Sequence, residues 1–270
     1  MAARARRIAL RFNWLGLAVI VGVLGIWQLL VTSRVLDYSA LPSPIDIANG
    51  LGYLASHGST IVSAGMWGNL AHTVRCVLEA WGIALLIGGA AGLLIGLNRT
   101  VASWATATVD IFRSLPVIAL IPIAILIWGP GSKAEVILGA YAALWPMLIN
   151  TAGGVRGVPA QLRDVAKTLR LSRSATLLKV VMPATGAAML VGARLALTVA
   201  LVVCVVAEML GLQTGLGNAL ILEQSADEPA RMWAYVVIVG VLGIIANVGL
   251  VQAVRLIFPG VSAISDRRSS

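Results

Sequence analysis

Long apolar blocks, broken by short polar stretches, set the pattern of this 270-residue chain. The first runs from Asn13 to Val31, about 19 residues and long enough to cross some 30 Å of hydrocarbon, behind Arg4, Arg6, Arg7 and Arg11. A cleaved secretory signal has a shorter apolar core and a small-residue cleavage site, so the block reads as a retained helix. A polar stretch follows from Thr32 to about Gly68, where Pro42 and Pro44 break any helix. Residues Pro44 to Ser56 predict a short amphipathic helix at the outer interface, with Ile45, Ala48, Leu51 and Leu54 on one face. The second span is Arg75 to Leu97, closed by Asn98 and Arg99. The third, about Ala105 to Trp128, carries Pro116 and Pro122, which should kink it. The fourth, Glu135 to Thr151, is short, and a basic polar stretch from Gly153 to Met182 then interrupts the series. The fifth span covers Pro183 to Leu210 and the sixth Trp233 to Phe258.

Composition agrees with this pattern. Hydrophobic residues make up 59% and charged residues 11% of the chain, and mean hydropathy is +0.93. A soluble domain of this size carries about twice that charged fraction. The net charge of +9 serves as a topology signal and not as a nucleic-acid footprint, since no basic stripe is interleaved with aromatics. With six spans and the N-terminus inside, fourteen Lys and Arg fall on inner segments. They are the four N-terminal arginines, Arg99, Arg156, Arg163, Lys167, Arg170, Arg173, Lys179, Arg255, Arg267 and Arg268. Only Arg34, Lys133 and Arg231 fall outside, along with the acids Asp37, Asp46, Glu135, Glu223, Asp227 and Glu228. The expectation is an all-α membrane protein of about six transmembrane helices with both termini cytoplasmic. Its parts are residues 1–67 (first helix and outer interfacial segment), a core at 68–258 with a loop at 153–182, and a cytoplasmic tail at 259–270. Cys76 and Cys204 lie in apolar runs and read as small buried hydrophobes.

The segment from Gly153 to Met182 is too long for a turn and is periodic. Pro159 suits a first helical position, and Leu162, Val165 or Ala166, and Leu169 recur on one face. Ser172 suits an N-cap for a second helix through Leu177, Leu178 and Val181, and the chain re-enters the membrane at Pro183. Two short basic helices at the cytoplasmic surface could rest on anionic lipid or dock into a partner's cleft. The chain has no G-x-x-x-x-G-K-[ST] phosphate loop, so any ATP is hydrolysed elsewhere.

Here the sequence resembles a known family. Asp164-Val165-Ala166-Lys167-Thr168-Leu169-Arg170, followed thirteen residues on by Pro183, looks like the "EAA…G…LP" loop of binding-protein-dependent ABC transporter permeases. Leu41-Pro42-Ser43-Pro44, Arg113-Ser114-Leu115-Pro116, Gly192-Ala193-Arg194, Ala207-Glu208-Met209 and Gly215-Leu216-Gly217 fit the branch serving nitrate, sulfonates, taurine and bicarbonate. The resemblance implies a type I importer permease fold in a bacterial cytoplasmic (inner) membrane, with no enzyme activity. It implies a homodimer of permeases on cytosolic ABC ATPase subunits, which use the ATP, and an extracytoplasmic substrate-binding protein. Asp164, Val165, Ala166, Leu169, Arg170 and Pro183 then form the ATPase-coupling loop. The sequence departs from the family in having Asp164 for Glu, Val165 for the first Ala, Met182 for the Leu before Pro183, and Arg170 for Gly. A left-handed residue is expected at 170, where an Arg costs on the order of 1 kcal/mol.

Charges inside spans are costly and mark function by default. Arg75 with Glu79, and Asp110 with Arg113 near the inner end of span three, have the spacing to neutralise each other. Arg194, one-third along span five and without an evident partner, and Glu208, near the outer face where water reaches, are candidates for the translocation path of a small anion. His57 and His72 lack metal-ligand spacing to carboxylates or cysteines, and no metal site or catalytic motif is expected. An ion-driven secondary carrier and a non-transporting membrane scaffold are the alternatives; neither internal repeats nor midplane acids are evident.

Overall fold

The computed structural model describes residues 14–33, 41–57, 65–211 and 214–257. The four N-terminal arginines, Arg34, Asp37, Arg267, Arg268 and the tail lie outside the described residues. Every regular element among those described is helical: α1 Trp14–Thr32, α2 Pro44–His57, α3 Gly65–Leu97, α4 Arg99–Arg113, α5 Val117–Trp128, α6 Ser132–Arg156, α7 Ala160–Thr168, α8 Arg173–Thr176, α9 Met182–Met209, α10 Leu216–Ser225 and α11 Pro229–Ile257. Five stretches are long and apolar enough to span a membrane, and the count is six when the bent pair α4–α5 is taken as one span.

The core is a bundle of α3, α6 and α9. Cys76, Ala80, Ala84, Ala143, Ala196, Ala200 and Cys204 are buried at its centre. Small residues permit close backbone approach, which van der Waals packing in lipid rewards in place of a hydrophobic driving force. Gly88, Gly92 and Gly96 form a stripe on α3 at i, i+4 spacing. A Cβ at Gly88 would lie 2.7 Å from the Leu144 carbonyl oxygen of α6, and one at Gly92 2.6 Å from that of Leu148.

Several expected elements are adjusted. Span two begins ten residues earlier, at Gly65, and span four is a full 25-residue helix to Arg156 that carries Pro146 inside it. In span three Pro116 does more than kink: the chain turns by 83° between α4 and α5, while Pro122 stays within α5. Two features act together here, the restricted residue before Pro116 and the exposed Ser114 that ends α4. Asp110 and Arg113 pair as expected, at 2.9 Å, in the last turn of α4 beside this break. Tyr141 of α6 donates to the Phe112 carbonyl at 2.6 Å and fixes that level.

Helix α2 starts at Pro44 as expected and ends one residue later, at His57; of the expected face Leu54 is buried and Leu51 half-buried, but Ala48 is exposed. Ile47, Gly50 and Leu54 point inward while Ile45 is 59% exposed, because α2 packs on the start of α11. A Cβ at Gly50 would meet the Ala230 carbonyl at 2.8 Å. Arg231 stacks over the Tyr53 ring, 5.2 Å from its centroid, and pairs with Glu228 and, at 3.4 Å, with Glu223. Glu223 and Glu135, expected in outer segments, are fully buried instead. Helix α10, which carries Glu223, was not expected.

Candidate functional site

Helices α6 and α9 run antiparallel, so the segment joining them lies at one end of the bundle. Arg163 Nη2 donates to the Val155 carbonyl at 2.6 Å, tying α7 back to the last turn of α6. Buried Val155, Val158 and Val181, with Leu93 and Leu177 against them, form the base beneath the loop. Pro159 is the N-cap of α7, whose first helical residue is Ala160, one position later than expected. Ser172 caps the second helix as expected, its hydroxyl accepting from the Ala175 N–H at 3.2 Å. That helix does not stop before the membrane. It passes through a π-helical turn at Leu177–Val181 directly into α9, and Pro183 sits exposed in the first turn.

The end of α7 resolves the question raised by Arg170. The Leu171 N–H donates to the Ala166 carbonyl at 3.0 Å and the Arg170 N–H to that of Lys167 at 2.9 Å. This pair of bonds is a Schellman motif, which places the residue after the cap in the left-handed region. Arg170 accordingly has φ of +47°. The turn is not reshaped to suit the arginine.

The periodic apolar residues of the loop divide. Ala166 is buried, whereas Leu162, Val165 and Leu169 face outward at 43%, 54% and 65% exposure. Asp164 and Lys167 pair beside them at 2.9 Å, both exposed. The result is a presented apolar stripe with a charged margin and Arg170 at its end.

At the opposite end of the bundle lies a buried polar cluster. Glu208, in the last turn of α9, is 1% exposed and is not reached by water. Its carboxylate accepts from the Thr73 hydroxyl at 2.7 Å and from the Gly217 N–H at 2.8 Å. Thr73 also accepts from the Leu216 N–H at 3.0 Å, and Asn69 from the Gly215 N–H at 2.9 Å. Gly215, at φ +107°, is forced by this packing, since a Cβ there would fall 2.1 Å from the Glu208 carboxyl carbon. His72, expected to lack metal-ligand spacing to carboxylates or cysteines, contacts Glu135 at 3.1 Å and Cys76 at 3.6 Å. The spacing of His72 and Cys76, one helical turn apart, was the available signal; Glu135, 63 residues on, gave none.

Arg194 has a partner after all. Its Nε donates to Asn247 Oδ1 of α11 at 2.9 Å, and the side chain is exposed. The structure therefore does not bring Arg194 and Glu208 to one site. Between α4 and α6 there is a cavity of about 270 Å³, lined by Thr106, Asp110, Arg113, Ile149 and Arg156.

Comparison with known proteins agrees with this architecture. The family model described as "Binding-protein-dependent transport system inner membrane component" matches residues 84–262. The putative aliphatic sulfonates transport permease protein SsuC of Bacillus subtilis is 27% identical over 234 residues, covering 86% of this chain and 83% of that protein. The bicarbonate transport system permease protein CmpB of Synechococcus elongatus is 32% identical over 201 residues, covering 72% and 71%. Among solved structures, a chain of the MetNI methionine ABC transporter in an inward-facing conformation superposes with a TM-score of 0.63 at 18% identity, covering 71% of this chain and 96% of that one. This last likeness concerns the fold.

Proposed function

The chain belongs to the family of binding-protein-dependent transport system inner membrane components, and from that premise we propose that it is the permease subunit of an ATP-driven importer for a small anionic solute. As a member it is a multi-pass inner-membrane protein and a non-enzymatic part of a transport system. Sulfonates and bicarbonate are named for two relatives, and a sulfonate, taurine, nitrate or similar anion is the solute class assigned here. The observation that carries the reading is the outward apolar stripe of α7, Leu162, Val165 and Leu169, braced from below by Arg163 and capped by Arg170.

In this reading α7 and α8 seat in a groove of a cytosolic ATPase, with Asp164, Val165, Leu169 and Arg170 in contact and Ala166 and Pro183 holding the shape. Two permeases and two ATPases assemble, and a binding protein delivers solute on the far side. Both termini are cytoplasmic, and residues 1–67 form a peripheral unit on the core of 68–258. ATP-driven closure of the ATPase dimer moves the coupling loops, and the rigid α6–α9 pair carries that movement through the membrane. Arg194 is assigned to the anion's path, with Asn247 orienting it. Glu208, being buried, is assigned instead to anchoring the 214–217 loop.

Reconstitution in liposomes with the ATPase and binding protein tests the proposal. Solute-stimulated ATP hydrolysis with uptake is expected. Uptake that follows an ion gradient without ATP would point to a secondary carrier, and absence of any coupling to a scaffold.

A further inference from the structure

We propose that His72, Cys76 and Glu135 form a binding site for a thiophilic divalent transition metal, zinc in character, at the end of the bundle opposite the α7–α8 loop. His72 Nε2, Cys76 Sγ and a Glu135 carboxylate oxygen all lie within 4.8 Å of one another. His72 Nε2 stands 3.1 Å from Glu135 Oε2 and 3.6 Å from Cys76 Sγ. A tetrahedral zinc with Zn–N and Zn–O of about 2.1 Å and Zn–S of about 2.3 Å separates N from S by about 3.6 Å and N from O by about 3.4 Å. The two separations that involve His72 therefore already stand near the edges of such a tetrahedron, and the third is within 4.8 Å.

A second observation points to a ligand. Glu135 is fully buried beside the Glu208 carboxyl, and no backbone N–H or hydroxyl among the described residues donates to its Oε1. A buried carboxylate oxygen of this kind is a rare and costly feature that calls for an ion or a donor. The donor set matches: imidazole, thiolate and carboxylate suit zinc and the later first-row divalent metals, not magnesium or calcium. On binding, the Cys76 thiol gives its proton to solvent, and the dication offsets the thiolate and the Glu135 carboxylate, which otherwise stands buried against the Glu208 carboxyl. His72 is a quarter exposed and supplies the approach from solvent. The Thr214 hydroxyl lies 3.3 Å from His72 Nε2, a further oxygen at the cluster.

The metal would join α3 to α6 at the level where Thr73 and Glu208 join α3 to α9, a structural staple at the mouth of the bundle. This inference is independent of the solute and of the ATPase.

Full-length protein in detergent, titrated with Co²⁺, provides the test. A single Co²⁺ per chain with a thiolate-to-metal charge-transfer band, displaced by Zn²⁺, is expected. The band should vanish in Cys76→Ser and persist in Cys204→Ser. His72→Ala and Glu135→Gln should each weaken binding by more than the roughly 100-fold that loss of a supporting residue can cost. A band that survives Cys76→Ser, or no band at all, overturns the site. Zinc X-ray absorption on loaded wild-type protein needs no variant: one sulfur in a nitrogen and oxygen shell supports the site, and a shell without sulfur overturns it.

Discussion

The Thr73 hydroxyl donates to Glu208 Oε1 at 2.7 Å across 135 residues of sequence, while accepting from the Leu216 N–H. One side chain thus holds α3, the end of α9 and the start of α10 together. Replacing Thr73 by Val keeps the shape but leaves a buried N–H unpaired and a buried carboxylate short of a donor. A loss of about 1–3 kcal/mol is expected, read as a lower thermal unfolding midpoint in detergent. Thr73→Ser, which keeps the hydroxyl, should lose much less.

The α3–α6 contact leads to a second expectation. A Cβ at Gly92 would stand 2.6 Å from the Leu148 carbonyl and 2.7 Å from Thr151 Cβ. Gly92→Val should part the helices and cost at least about 2 kcal/mol, seen as aggregation on size-exclusion chromatography. Gly22→Ala in α1, where nothing lies within 4 Å, should be neutral or slightly stabilising.

Arg170 occupies a left-handed position that glycine adopts freely. Arg170→Gly should therefore raise stability by about 1 kcal/mol, measured by thermal unfolding. If the guanidinium also touches the ATPase, the same variant will be more stable yet show weaker ATPase stimulation.

Legibility in the sequence followed the range of the interactions. Local chemistry was readable: the Pro44 helix start, the Ser172 cap, the Arg75–Glu79 pair at 2.7 Å and the special backbone at 170 all depend on neighbours within a few residues. The periodicity of α7 narrowed the face to Val165 or Ala166, and tertiary packing chose which turned inward. What depended on distant segments was not readable. Glu135, Glu208 and Glu223 look like solvent-facing acids at block edges, and only the folding-over of α10 and the α3 partners buries them. The α2 face was right at Leu51 and Leu54 and missed Ile47 and Gly50 for the same reason, since α11 packs against it. A proline signals a break in a helix but not its angle, so the 83° turn at Pro116 went unforeseen.

Docking through the loop is the central claim, and Val165 and Leu169 are its outward apolar contacts. Both side chains are more than half exposed, so changing them should leave the bundle intact. The decisive measurement is the amount of ABC ATPase, identified by mass spectrometry, that co-purifies with tagged wild-type chain and with the Val165→Arg, Leu169→Arg double variant at equal membrane levels. Loss of the ATPase from the double variant, with unchanged insertion and unfolding temperature, is the expected result. An undiminished complex would contradict the docking assignment.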